Sequence, residues 1–194
     1  LTLLLTMVSS LLLGMGTPTT ANYIITSTIA APALIQLGVP ILAAHMFTFY
    51  FGIVADITPP VALAAFAASG IAGGGAMRTG VNSSKLAIAA FIIPYIFVFS
   101  PAMLLIDASW VETLLVVVPA LAGMFGISAG LIGFWLRRLT IWERFISAAA
   151  GLLLNIPEWI TDVIGLSVLA LLLGWQVMRK DKTQTSAIMN PDGM

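Results

Sequence analysis

Two polar, proline-containing interruptions inside long apolar stretches constrain this chain most. One is Gly14-Met15-Gly16-Thr17-Pro18-Thr19-Thr20-Ala21-Asn22, the other Ala55-Asp56-Ile57-Thr58-Pro59-Pro60. Hydrocarbon has no water to pair the backbone of a broken helix. Irregular backbone at membrane depth therefore persists only where it is buried in protein or lines a polar cavity. Two such breaks close in sequence are expected to meet and build a site, and broken helices around a midplane site mark secondary transporters.

The rest of the chain fits that setting. Of its 194 residues 60% are hydrophobic and 8% charged, with mean hydropathy +1.07, against about 25% charged in soluble domains. The fold class is therefore an all-α integral membrane protein. Eight basic and eight acidic side chains cancel, which leaves no footprint for nucleic acid. Cysteine is absent, which removes disulfides, thiolate metal sites and cysteine nucleophiles. The chain starts at Leu1 within an apolar run that has no charged leader pattern, so it is expected to be part of a longer protein.

Leu1 to Leu13 is too short to span a bilayer, which takes about 20 helical residues. It ends at the glycine-rich tip, and Thr20 to Leu37 returns toward Gly38. Two readings fit: a re-entrant hairpin over 1–38, or a complete crossing followed by an external loop and another crossing. The absence of Lys, Arg, Asp and Glu before Asp56 favours the hairpin. Residues 39–72 read as one crossing interrupted at Asp56 to Pro60, because proline lacks the backbone donor and disfavours helix at the residue before it. Gly73 to Lys85 reads as a loop with Arg78 and Lys85, and 86–106 as a crossing kinked at Pro94 and Pro101. A C-terminal extension over 107–178 contains a glycine-rich crossing from Glu112 to Leu136, a short helix from Phe145 to Asn155, and a further helix begun by Pro157. A polar tail covers 179–194, opening with Arg179-Lys180-Asp181-Lys182. The basic segments around Arg78 and Arg137-Arg138-Arg144 assign one side to the cytoplasm, with Asp107 and Glu112 outside.

Asp56 is the one acidic residue before Asp107. An ionisable group inside a span is a functional candidate; the competing reading is an N-cap for the helix after the break. Thr17, Thr58, Thr19 and Asn22 offer neutral oxygens, and the carbonyls of Gly14, Gly16 and Ala55 offer more, the hard donors that sodium prefers. The alternative is that these threonines only satisfy helix ends. His45 lies about 16 Å along the helix axis from Asp56 and reads as a hydrogen-bonded histidine rather than a proton relay. Trp110, Trp135, Trp142, Trp159 and Trp175 read as interfacial anchors. No HExxH or phosphate-loop pattern occurs, so an enzyme is not expected.

The stretches Gly14 to Tyr23, His45-Met46-Phe47-Thr48-Phe49-Tyr50-Phe51-Gly52 and Asp56-Ile57-Thr58-Pro59-Pro60-Val61-Ala62, with Pro32 and Gly38, resemble the large permease subunit of tripartite ATP-independent periplasmic (TRAP) transporters. The fused-permease type associated with TAXI binding proteins is the most similar. The resemblance covers Leu1 to about Leu105 strongly. It is looser over Trp110 to Met178, where Thr161-Asp162-Val163-Ile164-Gly165-Leu166 resembles that type's extension. It implies the second of two inverted repeats of an elevator-type, sodium-driven importer of organic acids in a bacterial or archaeal inner membrane. The implied partners are a TAXI-like periplasmic binding protein, the remaining permease half and a small membrane subunit or fused equivalent. Sodium, as coupling ion and with no other cofactor, would meet Gly14, Gly16, Thr17, Ala55, Asp56 and Thr58. Substrate would meet Thr19, Asn22, Pro59 and Pro60. Another ion-coupled elevator carrier, or a non-transporting structural membrane subunit, are the alternatives.

Overall fold

Glycine and proline punctuate helix formation along the chain: Gly16, Pro18, Pro40, Gly73, Gly75 and Gly133 each flank a helix end. The computed structural model describes residues 1–156 and 158–178. The expected helix start at Pro157 and the tail from Arg179 lie outside the described residues. Ten α-helices are present among the described residues, with no strand and one isolated bridge between Phe134 and Arg138.

α1 (Thr2–Gly14) ends where Gly16 takes a left-handed φ of 78°, a conformation glycine adopts without a Cβ clash. Pro18 precedes α2 (Thr19–Ile29). The returning arm is not one helix, as the sequence suggested. It breaks at Ala30 and resumes as α3 (Ala31–Gln36), because Pro32 sits in the first turn of α3 and offers no N–H to the residue four before it. α1, α2 and α3 all pack on α4 (Ile41–Val54).

The interruption expected at Asp56 to Pro60 is present but starts and ends differently. Ala55–Ile57 form a 3₁₀ turn, Thr58 is extended, Pro59–Pro60 is a cis peptide, and Ala62 is left-handed with φ 38°. α5 (Leu63–Ala72) follows and stops at left-handed Gly73.

The segment read as a loop is helical. α6 (Ala76–Leu86) carries Arg78 near its start and Lys85 in its last turn. Its hydroxyls, which made it look like a loop, donate instead to carbonyls one turn back: Thr79 to Gly75 (3.0 Å), Ser83 to Thr79 (2.9 Å) and Ser84 to Gly80 (3.1 Å). Such back-bonding lets serine and threonine sit in a helix without exposing an unpaired hydroxyl. α6 meets α7 (Ile88–Phe99) at a bend of 41°, and the two together are long and apolar enough to be one bent crossing. The crossing expected to run to Ile106 stops at Phe99. Ser100, a 3₁₀ turn from Pro101 to Leu104, and left-handed Leu105 and Asp107 follow.

α8 (Trp110–Ile132) and α10 (Trp159–Met178) are each long and apolar enough to cross a membrane. At 1.5 Å per residue they reach about 35 and 30 Å. α8 starts with a capping box in which Ser109 and Glu112 bond each other's backbone. α9 (Ile141–Leu153) starts with another, from Thr140 and Glu143, and at 13 residues it is too short to cross. α8 and α9 approach closely along small residues. A Cβ at Gly123 would lie 2.7 Å from the Gly151 carbonyl, and one at Gly130 2.7 Å from that of Arg144. Small residues at such a seam replace the hydrophobic drive that lipid cannot supply.

The core nearest the two breaks joins Ala31, Leu34, Ala44, Phe47 and Phe51, with Phe91 and Tyr95 of α7 packed on it. Edge-on ring pairs knit α4 to α7: Phe47 and Tyr95 are 5.3 Å apart between centroids, and Phe51 and Tyr95 5.8 Å. Trp110, Trp142, Trp159 and Trp175 are exposed at helix ends, while Trp135 is half-buried against Phe125.

Candidate functional site

The tip between α1 and α2 and the break after α4 come together. α1 contacts both α4 and the 3₁₀ turn at Ala55–Ile57. Gly14 packs on Gly52 so closely that a Cβ on Gly14 would collide with the Gly52 carbonyl oxygen and lie 2.8 Å from its Cα. The Asn22 side chain fills the remaining space. A Cβ on Gly52 would overlap its amide, and one on Gly14 would sit 3.0 Å from its Nδ2.

Asn22 is 1% exposed, and neither Oδ1 nor Nδ2 has a hydrogen-bond partner. A buried polar atom left unpaired costs about 1–3 kcal/mol. Native structures keep such groups where something else pairs them. Ser10 Oγ, one turn before Gly14 on α1, is also buried without a partner.

Backbone accounting at the break is specific. The Val54 carbonyl accepts from Thr58 Oγ1 at 2.7 Å and the Ala55 carbonyl from Thr58 N–H at 3.2 Å. The Ile57 carbonyl accepts from Ser84 Oγ at 3.1 Å, and that of Thr58 from Ala62 N–H at 3.1 Å. The Asp56 carbonyl has no donor within the turn. Its donors in a 3₁₀ or α turn would be residues 59 and 60, and both are proline, which has no N–H. At the tip, the Gly14 carbonyl accepts from Thr17 Oγ1 at 3.2 Å.

The helix ends also match in polarity. α1 and α4 bring carbonyl ends to the two breaks, while α2 and α5 begin there with no side-chain cap. Carbonyl ends favour a cation and N–H ends an anion. Of the residues expected to hold sodium, Thr17, Asp56 and Thr58 are half-buried, Gly14 and Ala55 buried, and Gly16 exposed. Among those expected to hold substrate, Asn22 is buried, Pro59 half-buried, and Thr19 and Pro60 exposed. Among the described residues no group of three His, Cys, Asp or Glu converges. The donor set at the breaks is neutral oxygen plus one carboxylate, the hard-ligand chemistry of an alkali or alkaline-earth ion rather than a transition metal.

His45 is half-buried, and its Nδ1 lies 3.1 Å from the Tyr23 hydroxyl, which ties α2 to α4. Gly52 and Ser84 were not singled out as site residues from the sequence. A glycine within the aromatic run from Phe47 to Phe51 was the available signal for the first. Nothing local signalled Ser84.

No curated protein and no solved structure matches the chain. Residues 1–111 match the family described as "Tripartite ATP-independent periplasmic transporter, DctM component". That range takes in both breaks, the aromatic helix between them, and the bent pair α6–α7. The chain thus belongs to the DctM component family of TRAP transporters, a family of transport permeases and not of enzymes.

Proposed function

We propose that this chain supplies the second inverted repeat of an elevator-type, sodium-coupled TRAP permease of the fused, TAXI-associated type, importing organic acids in an inner membrane. In this reading residues 1–38 form a re-entrant hairpin, 39–72 a discontinuous helix, and the two hold one sodium ion and part of the substrate site. TRAP systems contain a periplasmic binding protein and further membrane subunits, so the chain works as one component of an assembly.

The observation that carries the reading is the buried Asn22 amide between Gly14 and Gly52, unpaired at both atoms and set where the two breaks meet. The Asp56 carbonyl, whose donors within the turn would both be prolines, offers a cation ligand at the break. The uncapped starts of α2 and α5 suit the carboxylate of an organic acid. Thr17, Thr58 and the Asp56 carboxylate complete a hard-oxygen set. Sodium bound between tip and break would pull the hairpin onto the broken helix, and so favour closure over substrate.

The test is uptake by the complete transporter in liposomes, with its binding protein and an imposed sodium gradient. Uptake of an organic acid that collapses when sodium is replaced by potassium is the expected result. Uptake independent of sodium, or uptake driven by this chain alone, would overturn the reading.

A further inference from the structure

We propose that Ser84, seated by Gly80, is a positioning residue for the ion site, acting through the backbone of the broken helix. The inference rests on the sodium-coupled reading above. It names a part of the machinery that lies outside both breaks.

Four observations carry it. The one hydroxyl hydrogen of Ser84 is shared between the Gly80 carbonyl of its own helix and, across 27 residues of sequence, the Ile57 carbonyl, each at 3.1 Å. Among the described residues the latter is the one hydrogen bond from another helix to the carbonyls of residues 54–58. Gly80, one turn earlier on the same face of α6, lets that helix close on the break: a Cβ there would lie 3.1 Å from both Pro59 Cγ and the Phe66 ring, and 3.4 Å from Ala62 Cβ. Gly80 is buried. Finally, the α6–α7 pair bends by 41°, so α7 packs on α4 before the break while α6 packs on α5 after it. The bent pair splints the broken one.

The consequence is chemical. Without Ser84 the 3₁₀ turn would present two adjacent unpaired carbonyls, those of Asp56 and Ile57. With it, the Ile57 carbonyl is held toward α6 and the Asp56 carbonyl is the one left for an ion. Ser84 touches neither ion nor substrate; it fixes which backbone oxygen is free and where it points.

The experiment compares Ser84→Ala and Ser84→Thr with the parent in the complete transporter. It measures the sodium concentration for half-maximal uptake and the maximal rate at saturating sodium. For Ser84→Ala the half-saturating sodium concentration should rise about 3- to 10-fold, as expected for loss of one hydrogen bond that orients a ligand. The maximal rate should stay within about 2-fold, and Ser84→Thr, which keeps the hydroxyl, should behave like the parent. Should Ser84→Ala fail to reach the membrane, Gly80→Ala carries the test, because its methyl pushes on Pro59 and Phe66 and should raise the same sodium constant. An unshifted sodium constant in the variant that inserts, or an equal shift in Ser84→Thr, overturns the proposal. A parent transporter that ignores sodium would instead overturn the sodium-coupled reading itself.

Discussion

The Asn22 amide lies against the backbone of Gly52, where any side chain at residue 52 would overlap it. α2 and α4 are thus registered by one polar side chain on a bare backbone, at the height where Gly14 of α1 also closes in. Gly52→Ala should lower the thermal midpoint of the purified protein and abolish uptake, since overpacking a fitted contact costs about 1–3 kcal/mol. The double variant Gly52→Ala, Asn22→Ala should recover much of the midpoint without recovering uptake. Recovery of neither would mean that Asn22 is not the obstacle.

Gly14→Ala is expected to be more severe than Gly52→Ala. Its new methyl meets the Gly52 carbonyl and Cα, and backbone cannot rotate aside as an amide side chain can. Membrane-inserted yield, followed by fluorescence-detected chromatography, should fall further for Gly14→Ala. The reverse order would contradict the packing at this crossing.

Thr58 both donates to Val54 through its hydroxyl and caps Ala55 through its N–H. Thr58→Val removes the first bond and keeps the second and the shape. It should raise the half-saturating sodium concentration in the complete transporter, with Ser at this position restoring it. Asp56→Asn should raise it too, by an amount equivalent to about 1–3 kcal/mol for a lost charged ligand. Sodium titrations that coincide with the parent for both variants would take these side chains out of the site and leave only backbone carbonyls.

The hairpin has a topological test that the absence of cysteine makes clean. Leu1 and Leu37 are exposed at the two ends of the α1–α3 segment. Single cysteines there should react with a membrane-impermeant maleimide from the same side. Labelling from opposite sides would convert the segment into two crossings.

Arg144 closes the end of α8 from α9, donating from Nε to the Gly130 carbonyl at 2.9 Å and from Nη2 to that of Leu131 at 2.7 Å. Charged donors at a helix C-terminus are among the stronger bonds, about 1.5–3 kcal/mol each. Arg144→Ala should lower the thermal midpoint by several degrees while leaving the sodium constant unchanged. Arg144→Lys should recover only part, because its compact ammonium lacks the rigid planar spacing with which Nε and Nη2 meet the two carbonyls. A lysine variant as stable as the parent would show that charge alone suffices.

What the sequence made legible was what certain residues forbid. Pro18, Pro59 and Pro60 cannot continue a helix, so the positions of both breaks could be read directly. Hydropathy marked a crossing over Glu112 to Leu136, close to α8, but left open whether the helix begun by Pro157 crosses. α6 was not legible, because Thr79, Ser83, Ser84, Gly75 and Gly80 together resemble a loop. Only packing of Gly80 against Pro59 and Phe66 offsets the glycine, while bonds to carbonyls one turn back satisfy the hydroxyls. Gly52 and Ser84 escaped for the same cause: each matters through a partner 27 or more residues away in the chain. The sequence pointed to two breaks lying near each other, but not to the crowding of Gly14 and Asn22 on Gly52.

The family match ends at residue 111, two residues into α8, and the packing changes character at the same place. Before it lies the aromatic core around Phe47 and Phe51; beyond it, a glycine seam joins α8 to α9, and Leu154 and Leu169 anchor α10. The two are joined mainly by aliphatic contact, with Ile92, Ile93 and Ile96 of α7 set against Val116, Ala120 and Met124 of α8, and by one bond from the Thr113 hydroxyl to the Ala102 carbonyl at 3.1 Å. In water, stripping α8 from that face would carry the full hydrophobic penalty. In a bilayer, acyl chains are as apolar as the helix they would replace, and the exchange is nearly neutral. Such a joint lets whole helices be gained or lost over evolutionary time without disturbing the machinery on the other side of it.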